Sequence, residues 1–234
     1  MPAPEYQSVD AAIRAKGLAP RGGFVCRPED GVPDFPDGRP AGTLVLFGNV
    51  GASLWRAFQA TPEARDGDAH PLNRWSERLG RALAEDLGAM ALFPFGGPRY
   101  LPFIAWAKRA VPVDNSPLGM LIHPQYGLWH AYRGAIAFAE AIELPPREAL
   151  EVPCDSCADK PCLAACPVAA FDGKGYAVDA CVAHIAAPAG ADCLDRGCRA
   201  RRACPVGREH LYAPAQAGLH MRAFLTARLE GNSP

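Results

Sequence analysis

Eight of the nine cysteines in this 234-residue chain fall between Cys154 and Cys204. They form two groups. The first is Cys154-x2-Cys157-x4-Cys162-x3-Cys166-Pro167, and the second is Cys181-x11-Cys193-x4-Cys198-x5-Cys204-Pro205. Each group ends in Cys-Pro-Val, so the segment reads as a divergent internal duplication. The surrounding composition is Cys, Ala, Pro, Gly and Arg, too poor in large apolar residues to fold around a conventional core. Something bound must hold it together.

The spacing points to iron and sulfide. In the bacterial two-cluster pattern C-x2-C-x2-C-x3-C-P, the fourth cysteine ligates the other cluster. Three closely spaced thiolates grip three corners of a cube, and the fourth corner lies too far round for the same loop. The first group matches apart from two extra residues before Cys162, and the second is more stretched. One [4Fe–4S] cluster is then expected to take Cys154, Cys157, Cys162 and Cys204. The other takes Cys166, Cys181, Cys193 and Cys198, and no ligand is left over. The proline after each fourth cysteine is expected to end the loop and start a helix. Two tetrahedral zinc sites are the bland alternative, although duplicated Cys-Pro endings are not a zinc-ribbon feature. Disulfides are disfavoured in a reducing compartment. Cys26, which stands apart, is expected to be a buried free thiol.

Arg196, Arg199, Arg201, Arg202 and Arg208 surround the last three cysteines. The expected role is compensation of anionic clusters; the sharper one is a docking patch for an acidic electron donor or a phosphate-bearing substrate.

Composition bounds the rest. Apolar residues make up 49% and charged residues 21%, which fits a globular protein. A net charge of -1 offers no general attraction to nucleic acid or an anionic membrane. No apolar run approaches the ~20 residues that span a bilayer, and Met1 to Ser8 carries no secretory pattern. The expectation is a cytoplasmic protein without a membrane partner.

Before residue 150 helical and strand patterns alternate. Val9 to Lys16 reads as a helix capped by Ser8 and stopped by Gly17, Thr43 to Phe47 as a buried strand, Asn49 to Gly51 as a turn, and Ser53 to Ala60 as a short helix. Leu72, Trp75, Leu79, Leu83 and Leu87 share one face of a helix after His70-Pro71, with Gly88 as its stop. Ala89 to Phe93 reads as a strand and Phe103 to Ala110 as a helix. Met120 to Ile122 and Ala135 to Ala139 read as strands flanking a turn at Pro124 to Gly127. Leu144-Pro145-Pro146-Arg147 is the expected boundary between domains 1–150 and 151–234. A last helix, Pro214 to Leu229, offers Met221, Phe224, Leu225 and Leu229 for packing. The mixture indicates an α+β class.

Two segments resemble known families. Pro153 to Gly207, with its first Cys-Pro ending, lone Cys181 and second Cys-Pro ending, resembles the ferredoxin-like half of the epoxyqueuosine reductases. Those enzymes carry two four-iron clusters beside a base-off cobalamin. The run from Ile122 to Gly134 (IHPQYGLWHAYRG), with weaker matches at Leu44 to Phe47 and His70-Pro71, is similar to cblC-type cobalamin-processing proteins. The two resemblances imply a nitroreductase-like α+β sandwich followed by a small bacterial ferredoxin-like two-cluster domain. They also imply a corrinoid-binding site at His123, Tyr126, Trp129 and Arg133. The bland reading of Trp129 is core packing, and of His123 a hydrogen bond to its own turn. The Asp-Tyr-His motif of the reductases and their C-terminal tRNA-binding extension are not found, so tRNA is read as a doubtful partner.

The leading expectation is an oxidoreductase in which two clusters pass electrons from a ferredoxin- or flavodoxin-like donor to a cobalamin or a corrinoid-bound substrate. The alternatives are an electron-transfer protein without catalysis, a flavin-dependent reductase, and a zinc-stabilised binding protein. No dinucleotide fingerprint or P-loop is present. Tyr126, Tyr132 and His130 are unranked candidates for a general acid.

Overall fold

A computed structural model of the chain describes residues 4–97 and 100–231. In chain order the elements are α1 (Tyr6–Ala15), β1 (Ala19–Val25), β2 (Thr43–Val50), α2 (Trp55–Gln59), α3 (Pro71–Leu87), β3 (Met90–Leu92), α4 (Phe103–Ala110), β4 (Asp114–Asn115) and β5 (Leu121–Ile122). Then come β6 (His130–Phe138), α5 (Pro153–Ser156), α6 (Pro161–Ala164), α7 (Val178–Ala186), α8 (Ala191–Arg196), α9 (Arg199–Arg202) and α10 (Pro214–Leu229). They divide into two compact units. One runs to Pro112 and resumes over His130–Leu150; the other joins Val113–Trp129 to the chain from Glu151 onward. The class is mixed α and β.

The first unit is built on an antiparallel sheet in the order β1-β2-β6-β3. Leu44, Val45, Leu46 and Phe47 of β2 are all fully buried, as are Ala135, Ile136 and Ala137 opposite them on β6. Continuous burial instead of alternation means that both faces of this central pair are covered. Helix α3 supplies Leu72, Trp75 and Leu83 to the core. Leu79 and Leu87 are only half-buried, and Ser76 and Gly80 occupy the buried centre instead. Gly80 is there because of space: a Cβ would lie 2.7 Å from the Phe93 ring and 2.9 Å from that of Phe47. Arg109 of α4 pairs with Asp30, donates to the Val25 carbonyl at 2.7 Å and lies 4.6 Å from the Phe24 ring centre. Trp106 Nε1 donates to the Asp30 carbonyl at 2.7 Å. Together they pin the loop after β1.

Several local expectations shift. Helix α1 begins at Tyr6, so Ser8 lies inside it and caps nothing; Gly17 does end it, at φ +75°. Strand β2 runs through Asn49, which pairs with Ala131, so the turn starts at Gly51 and not at Asn49. Strand β1 lies outside the expected set. It contains Pro20, Gly22 and Gly23 and carries an irregularity in register between Pro20 and Gly23, a composition that masks a strand at a sheet edge. Cys26 is half-buried, and its thiol is pushed up to about 11, first by burial and then by Asp30.

The second unit has little sheet. Strands β4 and β5 pair with each other, and β6 pairs within the other unit, so the expected pair of strands around Pro124 is not a hairpin. Its core gathers Leu118, Ile122, Leu128, Phe171 and Ile185 around four buried cysteines, Cys162, Cys181, Cys193 and Cys204. Met221, Phe224 and Leu225 of α10 pack on it, whereas Leu229 is 68% exposed. The segment Val113–Trp129 therefore belongs with the cysteines, although it precedes residue 150.

Candidate metal centre

Each cysteine of the cluster segment sits in or beside a helix too short to stand alone. Pro153 and Pro161 occupy the first turns of α5 and α6, where a missing N–H costs nothing. These helices carry Cys154 and Cys162, and Cys157 directly follows α5. Cys181 lies on α7, Cys193 on α8, and Cys198 directly precedes α9. The prolines after Cys166 and Cys204 start turns and not helices, contrary to expectation; Val206 and Gly207 lead only into a 3-10 turn at Arg208–His210.

Cys154, Cys157, Cys162 and Cys204 line one cavity, walled on its apolar side by Leu118, Ile122, Leu128 and Val206. Burial pushes the Cys154 thiol up to about 11, and the neighbouring Cys204, Cys162 and Cys157 push in the same direction. Cys162 is raised by burial and then by Cys204 and Cys157. Cys204 is raised by burial and by Cys157, against a lowering hydrogen bond from the Val206 N–H.

The other four cysteines form a second set. Cys181 is raised by burial, lowered by a hydrogen bond from Tyr176, and raised again by Cys166 and Cys193. Cys198 is raised by burial, lowered by the N–H groups of Arg201 and Ala200, and raised by Cys193 and Cys181. The Ala170 N–H donates to Cys166 Sγ at 3.3 Å.

Among the described residues no three His, Cys, Asp or Glu side chains are placed to hold a single metal ion. A four-iron cube takes its thiolate ligands at its outer corners. Four thiols around an apolar cavity are a donor set that fits such a cube. Buried thiols of raised pKa keep their protons until a cation displaces them.

The motif residues divide between the units. His123 Nδ1 accepts the N–H groups of Gln125 at 3.1 Å and Tyr126 at 3.4 Å, and its ring stacks 4.3 Å from that of Tyr126. Tyr126 meets His210 edge-on at 5.2 Å. Gly127 (φ +56°) and Gly207 (φ +67°) let two loops interlock: a Cβ on Gly127 would lie 2.1 Å from the Val206 carbonyl oxygen, and one on Gly207 2.4 Å from the Tyr126 carbonyl carbon. The turn after β5 thus braces the loop of Cys204. Trp129 is 2% exposed and lies 5.5 Å from Tyr212. Arg133 belongs to the sheet unit, where it donates to Ser76 Oγ at 3.0 Å and Asn73 Oδ1 at 2.6 Å.

Arg196, Arg199 and Arg202 converge on Asp192. Arg201 lies 4.5 Å from the Trp129 ring centre and 4.4 Å from that of Tyr212, and donates to the Leu128 carbonyl at 3.1 Å. Arg208 is exposed. The packing of Gly127 against the loop at Gly207 has no signal in the sequence beyond the turn it closes. Only the folded loops reveal it.

No known protein family and no curated protein matches this chain. Among solved structures, a crystal structure of epoxyqueuosine reductase with an epoxyqueuosine-modified tRNA-Tyr stem loop is similar at 15% identity and a TM-score of 0.47. The match covers 89% of this chain and 68% of that one. Because that neighbour is a complex with a tRNA stem loop, the reading of tRNA as a doubtful partner is withdrawn. Among the described residues no helix is long and apolar enough to cross a membrane.

Proposed function

We propose that the cysteine unit holds two [4Fe–4S] clusters in a ferredoxin-like arrangement and that the chain is an iron–sulfur oxidoreductase. One observation carries this reading. Cys204, at the far end of the cysteine segment, lines the same cavity as Cys154, Cys157 and Cys162 at its start. A crossed ligand set is what two interleaved clusters require, and two separate short-loop zinc sites do not. When bound, the clusters supply one-electron transfer. The chain supplies thiolate ligands, N–H donors to sulfur and an apolar wall against water.

The corrinoid site is not carried forward. His123 and Tyr126 are engaged with each other and with the loop of Cys204, and Arg133 is held by Ser76 and Asn73 within the sheet unit.

The test is oxygen-free reconstitution with iron and sulfide, followed by metal and sulfide analysis and electron paramagnetic resonance after reduction. The expected result is about eight irons and about eight sulfides per chain, with the signals of two interacting clusters. Tightly bound zinc with neither iron nor sulfide overturns the proposal.

A further inference from the structure

Four residues, Ala158-Asp159-Lys160-Pro161, separate Cys157 from Cys162, where the bacterial two-cluster pattern has two. The longer loop carries a backbone outlier. Lys160 takes φ +37°, a left-handed conformation that persists only where its surroundings hold it. It also stands directly before Pro161, a position that ordinarily prefers extended backbone. The Lys160 carbonyl accepts the Leu163 N–H at 2.9 Å, which ties the bend to α6.

This bend brings Lys160 to the cavity that Cys154, Cys157, Cys162 and Cys204 share. Every other described residue lining it is a cysteine, a proline, an apolar residue or Ser116, so Lys160 brings the one fixed charge. Lys160 is half-buried, and no carboxylate among the described residues forms an ion pair with it. A lysine carries its ammonium no further from the surface it lines than its four-carbon stem reaches.

We infer that Lys160 is a tuning cation that raises the reduction potential of the Cys154/Cys157/Cys162/Cys204 cluster and not that of the other. The inference rests on the two-cluster reading above. An electron taken up makes a thiolate-held cluster more anionic, and a fixed positive charge beside it favours that state. An apolar wall screens the attraction less than water would.

The experiment is a redox titration of the full reconstituted chain, read by electron paramagnetic resonance, for the natural protein, Lys160→Met and Lys160→Arg. Methionine keeps an unbranched stem without the charge, and arginine keeps the charge. In Lys160→Met one midpoint is expected to fall by about three- to tenfold in the reduction equilibrium, ~28–59 mV for one electron, with the other unmoved. Lys160→Arg is expected to hold the natural value. The signal that moves must be the one that Cys157→Ser alters or removes. Unchanged midpoints, equal falls in both, a fall in the other cluster alone, or as large a fall in Lys160→Arg overturn the inference while leaving the clusters in place. A natural chain that takes up no iron overturns both readings. Should Lys160→Met fail to assemble, Lys160→Asn, which tolerates a left-handed backbone, must show the same fall. If neither neutral variant assembles, the role of Lys160 is structural and the inference falls.

Discussion

The two units answer the same problem, hiding a backbone from water, with different materials. In the sheet unit the interior is Leu44, Leu46, Phe47, Trp75, Leu83 and Ile136, each at most 1% exposed. Burying each such side chain contributes roughly 1.5–3 kcal/mol toward offsetting the entropy of ordering the chain. In the cysteine unit four of the buried core residues are thiols, and helices α5, α6 and α9 have four residues each. Helices that short do not persist on their own hydrogen bonds. The first unit is held by its own side chains. On the proposed reading, the second is held by what its side chains bind.

The sharpest way to break this contrast is to withhold iron. Without iron and sulfide, amides of α7 and α8 are expected to lose protection at least about hundredfold in hydrogen exchange, while those of β2 and β6 stay protected. Equal protection in both states would mean that the cysteine unit folds unaided. The reverse perturbation comes next. Phe47→Ala is expected to cost about 3–5 kcal/mol in the denaturant unfolding of the sheet unit without changing iron content in the chain that remains folded.

A smaller effect probes the brace behind Cys204. Gly127→Ala introduces a Cβ against the Val206 carbonyl at a left-handed φ, a strain of about 1–3 kcal/mol. It is expected to lower cluster retention under a chelator, measured as iron loss with time, and to leave the melting of the sheet unit alone. The smallest effect concerns the sheet unit's surface. Arg78 donates to Glu63 at 2.5 and 3.0 Å and holds its carboxyl down to about 2, from 4.5. A carboxyl lowered on folding stabilises the fold above its unfolded value and loses that contribution as pH falls from about 4.5 to about 2. Because Arg78 is half-exposed, the loss should stay below about 1 kcal/mol. Unfolding followed across that pH range should show the slope in the natural chain and not in Glu63→Gln.

Legibility followed the range of the signal. Helix α4 and helix α10 have the bounds that their apolar spacing predicts. Those patterns are local. Strand β1 escaped because Pro20, Gly22 and Gly23 suit an edge, and an edge strand is recognised by its neighbour. The four motif residues His123, Tyr126, Trp129 and Arg133 looked like one site because they are close in sequence. The chain passes from one unit to the other between Trp129 and His130, so the first three belong to the cysteine unit and Arg133 to the sheet unit.

From the amino-acid order alone came the gathering of eight cysteines in one segment, the two sets of four that their spacing proposes and the helices with clear periodicity. Each depends on spacing that any conformer of the chain carries. Tertiary structure alone decided that Val113–Trp129 joins the cysteine unit and braces the Cys204 loop. Contacts of that kind depend on side chains far apart in the chain meeting around a shared interior, and no single stretch of residues encodes them.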